Sequence, residues 1–132
     1  MVLAQLIEQL LDVFTVHYYP QGGEFSDDVS TAMQLRRNRS TRSLRDPAYV
    51  DESWIGDRVQ LIRRMKGWVN ASYPGTAIGI TEYNWGAENH INGATAQADI
   101  YGIFGQRETA KGRSSGVEKI MRQRVPATGR RW

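Results

Sequence analysis

The sequence predicts an α/β domain with parallel strands, and three observations predict it. Two short apolar runs, residues 12–19 and 77–83, are rich in β-branched and aromatic residues. Their apolar character is near-continuous, as in strands covered on both faces of a parallel sheet. A helical apolar stripe lies between them, and a second helical stretch follows the second run after a polar loop. The order strand, long excursion, helix, strand, loop, helix is a βαβα pattern, which argues for parallel pairing.

Leu3, Leu6, Ile7, Leu10 and Leu11 recur at helical spacing and predict a short opening helix. The first strand, residues 12–19, ends at Pro20-Gln21-Gly22-Gly23, a strong stop. Residues 22–50 read as an excursion with one short helix over 30–37. The arginine-rich stretch 38–47 reads as loop, with its arginines on a solvated face. Asp51-Glu52-Ser53 reads as a helix start, because acidic residues suit the positive end of the helix dipole. Ile55, Val59, Ile62, Met65 and Val69 then form the apolar stripe. Tyr73-Pro74-Gly75 stops that helix. The second strand is residues 77–83, followed by a polar loop over 84–92 and a helix over 94–104, opened by Gly93 and Thr95. Beyond Gly105 the pattern decays into charges and glycines.

Composition narrows the chemistry. There is no cysteine, so thiolate catalysis, disulfides and Cys-based zinc sites are excluded. Two histidines, His17 and His90, are too few for a His-rich metal site, and no metal or cofactor is expected. No apolar run reaches the length of a membrane span. The first residues lack a basic start and a small-residue cleavage site, so no signal peptide is read. The net charge of +3 is unevenly spread: residues 1–104 carry −3 and residues 105–132 carry +6. An acidic body without RNA- or DNA-binding motifs argues against a nucleic-acid partner.

The stretch Ile80-Thr81-Glu82-Tyr83-Asn84-Trp85-Gly86 carries most information. Glu82 closes an apolar strand, and the C-terminal ends of parallel barrel strands form an active-site face. Tyr83, Asn84 and Trp85 suit sugar: aromatic rings stack on a pyranose, and amides bond its hydroxyls. A carboxylate there can attack an anomeric carbon. A strand-end glutamate in a surface ion pair fits the same placement, and spacing alone leaves both readings open. The first strand ends in His17-Tyr18-Tyr19-Pro20, which suits either sugar contact or half-buried aromatic packing. Glu88, Asn89 and His90 read as a polar loop network.

Tyr18-Tyr19-Pro20-Gln21, residues 46–55, Trp68-Val69-Asn70 and above all residues 78–93 (IGITEYNWGAENHING) resemble glycoside hydrolase family 44. The likeness runs over roughly residues 10–105. It implies a partial (β/α)8 barrel over residues 1–105. Residues 106–132 form a basic tail, expected to be disordered or read out of frame. Family members are secreted endoglucanases that cleave β-1,4-glucans with retention, and some accept xyloglucan, lichenan or xylan. By that resemblance Glu82 is the nucleophile, and the general acid/base lies on an earlier strand, outside this chain. His17, Tyr18, Tyr19, Tyr83, Asn84, Trp85 and Glu88 are the expected substrate contacts. The expected partner is therefore a β-glucan polysaccharide. An inactive or glucan-binding fragment lacking the general acid/base is the alternative.

Overall fold

The computed structural model describes residues 11–106. The expected helix over residues 3–11, save its last residue, and the basic tail beyond Gln106 lie outside them. Strand β1 (Val13–Tyr18) is followed by helix α1 (Thr31–Ser40), a 3₁₀ turn (Thr41–Leu44), helix α2 (Leu61–Ser72), strand β2 (Ala77–Tyr83) and helix α3 (Ile91–Gly105). Among the described residues β1 and β2 form a two-stranded parallel sheet. The α/β class read from the sequence is the observed one, and both strands sit within a residue of their expected ends.

The register carries a detail that bears on function. Val13 pairs with Ala77 and the pairing steps evenly to Val16 with Ile80, after which His17 pairs with Glu82. Thr81 is the extra residue of a β-bulge on β2. A bulge re-aims the side chains beyond it. Here it sets Glu82, rather than Thr81, opposite His17.

Leu61, Met65 and Val69 of α2 are buried at i, i+4 and i+8, one stripe against Ile78 and Ile80 of β2. Ala96, Ile100 and Ile103 of α3 join the same core, together with Leu44 and the rings of Tyr18, Tyr83 and Trp85. Trp68 of α2 sets its ring edge-on to Phe14 of β1, 6.2 Å between centroids. The hydroxyl of Thr41 donates to Asp99, tying α3 to the 3₁₀ turn.

Three expectations are corrected. Helix α2 starts at Leu61, not at Asp51, because Asp51 spends its carboxylate inside the loop. It accepts the Ser53 backbone N–H at 2.9 Å and the Ser43 hydroxyl at 3.0 Å, the short-range bonding that lets Asp compete with helix. Ile55 and Val59 continue the apolar spacing from a half-buried loop. Second, α1 runs on to Ser40 and the chain stays coiled to Leu44, where loop was expected over 38–47. The Ser30 side chain caps α1 by accepting from Met33 N–H. The arginines of residues 38–47, Arg39, Arg42 and Arg45, are exposed as expected. Arg37, inside α1, is fully buried, because it points between two loops whose carbonyls need donors. Third, helix α3 begins at Ile91, three residues earlier than expected, capped by His90 Nδ1 accepting from Asn92 N–H at 3.1 Å.

Candidate active site

Parallel strands deliver their C-terminal ends to one side, and both candidate clusters sit there. The two ends meet on Glu82. The Tyr19 hydroxyl donates to Glu82 Oε1, and His17 Nδ1 lies 3.7 Å from Oε2. The carboxylate side chain is 27% exposed and that of His17 62%. Glu82 is thus oriented from β1 yet open to a ligand. The other ion-paired carboxylates, Glu52, Asp46 and Asp57, are held by Arg39, Arg42 and Arg64. Among the described ion pairs, no arginine or lysine reaches Glu82. A guanidinium clamp would consume the lone pairs that a nucleophile needs. A neutral phenol donor fixes the carboxylate and leaves its charge in place.

Tyr18, Tyr83 and Trp85, expected as sugar-facing rings, lie under the carboxylate instead. Tyr83 is 1% exposed and Trp85 3%. Tyr18 packs on Trp85 at 5.6 Å between centroids, and Tyr83 meets Trp85 edge-on at 6.2 Å and Phe104 at 5.6 Å. Each polar end is drawn inward too. Trp85 Nε1 donates to Ser40 Oγ at 2.9 Å, and Gln97 Nε2 donates to the Tyr83 oxygen at 2.8 Å. Burial pushes the Tyr18 phenol up to about 12 and raises that of Tyr83. These rings offer no free face to a pyranose. They pack on one another and on Phe104 as part of the core.

Asn84 is half-buried. Its Oδ1 accepts from Gly86 N–H at 2.5 Å and its Nδ2 donates to Glu88 Oε1 at 2.8 Å, so it folds the loop that carries the exposed Glu88. Asn84, Glu88 and Gln97 line an open hollow of about 260 Å³ beside the edge of Trp85. The structure brings His17, Tyr19 and Glu82 into contact, sets Tyr18, Tyr83 and Trp85 beneath them, and leaves Asn84 and Glu88 on an adjoining loop.

Sequence reasoning gave no role to Trp54, which is 81% exposed. Its segment leads into α2, the helix that returns the chain to the start of β2, so it lies at the end where β1 finishes. Arg36 confirms the placement, bonding the carbonyls of Gly22 and Glu52 at 3.0 Å each. Trp54 thus stands largely in water near the loop after β1. The available signal was its place in the segment 46–55, already singled out for its likeness to the family.

No family model matches the chain. Endoglucanase A of Paenibacillus lautus is 41% identical over a stretch covering 75% of this chain and 16% of that protein. The crystal structure of CelM2, a bifunctional glucanase-xylanase from a metagenome library, superposes with a TM-score of 0.71 at 76% identity, over 73% of this chain and 18% of that one. A family 44 xyloglucanase of Paenibacillus polymyxa, solved with xyloglucan, matches at 37% identity and a TM-score of 0.63, over 72% of this chain and 20% of that chain. The chain spans about a fifth or less of the proteins it matches. At these identities the agreement extends beyond fold to sequence, and the chain belongs to glycoside hydrolase family 44.

Proposed function

We propose that these residues form part of the (β/α)8 catalytic barrel of a retaining endo-β-1,4-glucanase, with Glu82 as nucleophile. One observation carries the reading: an open carboxylate at the C-terminal end of a parallel strand, oriented by Tyr19 and faced by His17, with no guanidinium or ammonium pairing it among the described residues. In the retaining mechanism Glu82 attacks the anomeric carbon and forms a glycosyl ester. A second carboxyl group, roughly 5–5.5 Å away, protonates the departing oxygen and then deprotonates the water that cleaves the ester. The family resemblance assigns that second group to an earlier strand. The substrates named for the relatives, glucan, xylan and xyloglucan, point to a β-linked polysaccharide here. An insoluble polymer cannot enter a cell, so the reading places the activity outside it.

The test is a hybrid enzyme in which residues 11–106 replace the matching stretch of the 76% identical glucanase-xylanase. It should release reducing sugar from carboxymethylcellulose, and proton NMR should find the first-formed hemiacetal in the β configuration. A first-formed α product, or a folded hybrid without activity, rejects the reading. A glucan-binding role without cleavage is favoured by Trp54 alone, and the same assay separates it.

Two variants of that hybrid probe the site. Tyr19→Phe removes the donor to Glu82. A hydrogen bond to a charged group is worth about 1.5–3 kcal/mol, so kcat should fall about 10- to 100-fold with KM little changed. A kcat within roughly twofold of the starting enzyme would mean that the phenol does not hold the nucleophile. Trp54→Ala should do the reverse, raising KM for long glucans about tenfold while kcat stays, as expected when uniform binding by an aromatic face is lost. An unchanged KM on polymer would remove Trp54 from the cleft.

A further inference from the structure

Arg37 is fully buried, at 0% exposure. Its Nε donates to the carbonyls of Glu24 at 2.9 Å and Trp85 at 2.7 Å. Nη1 donates to Asn92 Oδ1 at 2.6 Å, and Nη2 to the carbonyls of Ser26 and Asp28 at 3.0 Å each. Asn92 passes the network on, its Nδ2 donating to Asn38 Oδ1 at 2.8 Å. One cation therefore joins the loop after β1, the loop after β2 and the first turn of α3. Its acceptors are four backbone carbonyls and an amide, with no carboxylate among them. Carboxylate pairing would satisfy the charge whatever the backbone did. A planar fork that reads four peptide oxygens holds only when those peptides stand at fixed positions. A buried network with this many acceptors rigidifies the segments it joins.

Trp85 is three residues beyond Glu82, and its peptide is the first point after β2 that Arg37 grips. We propose that Arg37 is a positioning residue for the Glu82 site. By clamping the Trp85 carbonyl against the loop after β1, it fixes the exit of β2. Glu82 then meets Tyr19, and the loop carrying Asn84 and Glu88 stays at the rim. The proposal rests on the catalytic reading of Glu82. Lysine cannot replace Arg37, because one ammonium cannot span three segments.

Two measurements test it. The full chain, labelled with ¹⁵N-tryptophan, has four tryptophans, and Trp85→Phe assigns the Trp85 indole resonance. In Arg37→Lys that resonance should move while those of Trp54 and Trp68 stay, showing local displacement in a folded chain. In the hybrid enzyme Arg37→Lys should lower kcat about 10²-fold with KM changed less than about threefold, the cost of a misplacement near 1 Å. Asn92→Ala removes one acceptor and should shift the Trp85 resonance in the same direction by less. An unmoved Trp85 resonance in both variants, or an unchanged kcat in Arg37→Lys, overturns the proposal. If Arg37→Lys unfolds, so that all indole resonances collapse together, Asn92→Ala decides: a shifted Trp85 signal supports the clamp and an unmoved one refutes it. If Glu82→Gln leaves the hybrid active, the catalytic reading fails, and the indole shifts still report separately on the clamp.

Discussion

Glu82→Gln in a hybrid enzyme carrying residues 11–106 is expected to cut kcat by at least about 10³-fold, the scale seen when a member of a catalytic unit is removed. The amide has the carboxylate's shape and its oxygen still accepts from the Tyr19 hydroxyl, so the hybrid's melt should stay within about 2–4 °C, on the order of 1 kcal/mol or less for a large domain. What disappears is the anionic oxygen that bonds to the anomeric carbon. Glu82→Ala adds a sharper discrimination. It leaves a space on the nucleophile's side of the sugar, where azide can attack an activated β-glycoside. Attack from that side yields an α-glycosyl azide. A β-glycosyl azide would mean that the missing carboxylate was the acid/base, and near-normal cleavage of cellulose by Glu82→Gln would remove Glu82 from the chemistry.

The strands and the residue at their ends were legible because β-branched and aromatic residues crowd both runs, although only β2 is buried over consecutive residues while β1 exposes Thr15 and His17. Ala77–Tyr83 was expected over the bounds that the structure shows, and Val13–Tyr18 lies one residue inside its expected span. What could not be read depends on partners distant in sequence. Nothing local marks the bulge that sets Glu82 across from His17. The sequence around Arg37 looks like that around Arg36 and Arg39. Only the fold determines that Arg37 faces loop carbonyls, while Arg39 pairs with Glu52 near the surface. The aromatic residues beside Glu82 were expected to face sugar on chemical grounds. A core between two strands and two helices needs large rings as well, and Tyr83 and Trp85 supply that packing. Asp51 shows the same limit in reverse: an acid before an apolar stripe suits a helix start, but two nearby serines offered it a tighter loop.

Packing at the exit of β2 leads to the second large effect. Gly86 has φ +70°, and a Cβ there would stand 2.4 Å from the Phe25 carbonyl carbon and 2.5 Å from the Glu24 oxygen. Those atoms are backbone and cannot rotate away. Arg37 holds the Glu24 carbonyl, and Ala87 N–H donates to the Ser26 carbonyl at 3.1 Å. Gly86→Ala must therefore bear the left-handed backbone, about 1–2 kcal/mol, and force two clamped loops apart, about 1–3 kcal/mol more by analogy with overpacking. Together these take a large share of a total stability of about 5–15 kcal/mol. The chain's Tm should fall by at least about 10 °C. Gly102→Ala is the matched control. Gly102 lies within α3 with nothing inside 4 Å of its added methyl, so the same change should raise stability by about 0.5–1 kcal/mol through helix propensity. Opposite signs for the two substitutions, read by circular dichroism melts, would place the cost in the contact between loops. A Gly86→Ala chain melting with the unmodified one would show that the two loops are not pressed together.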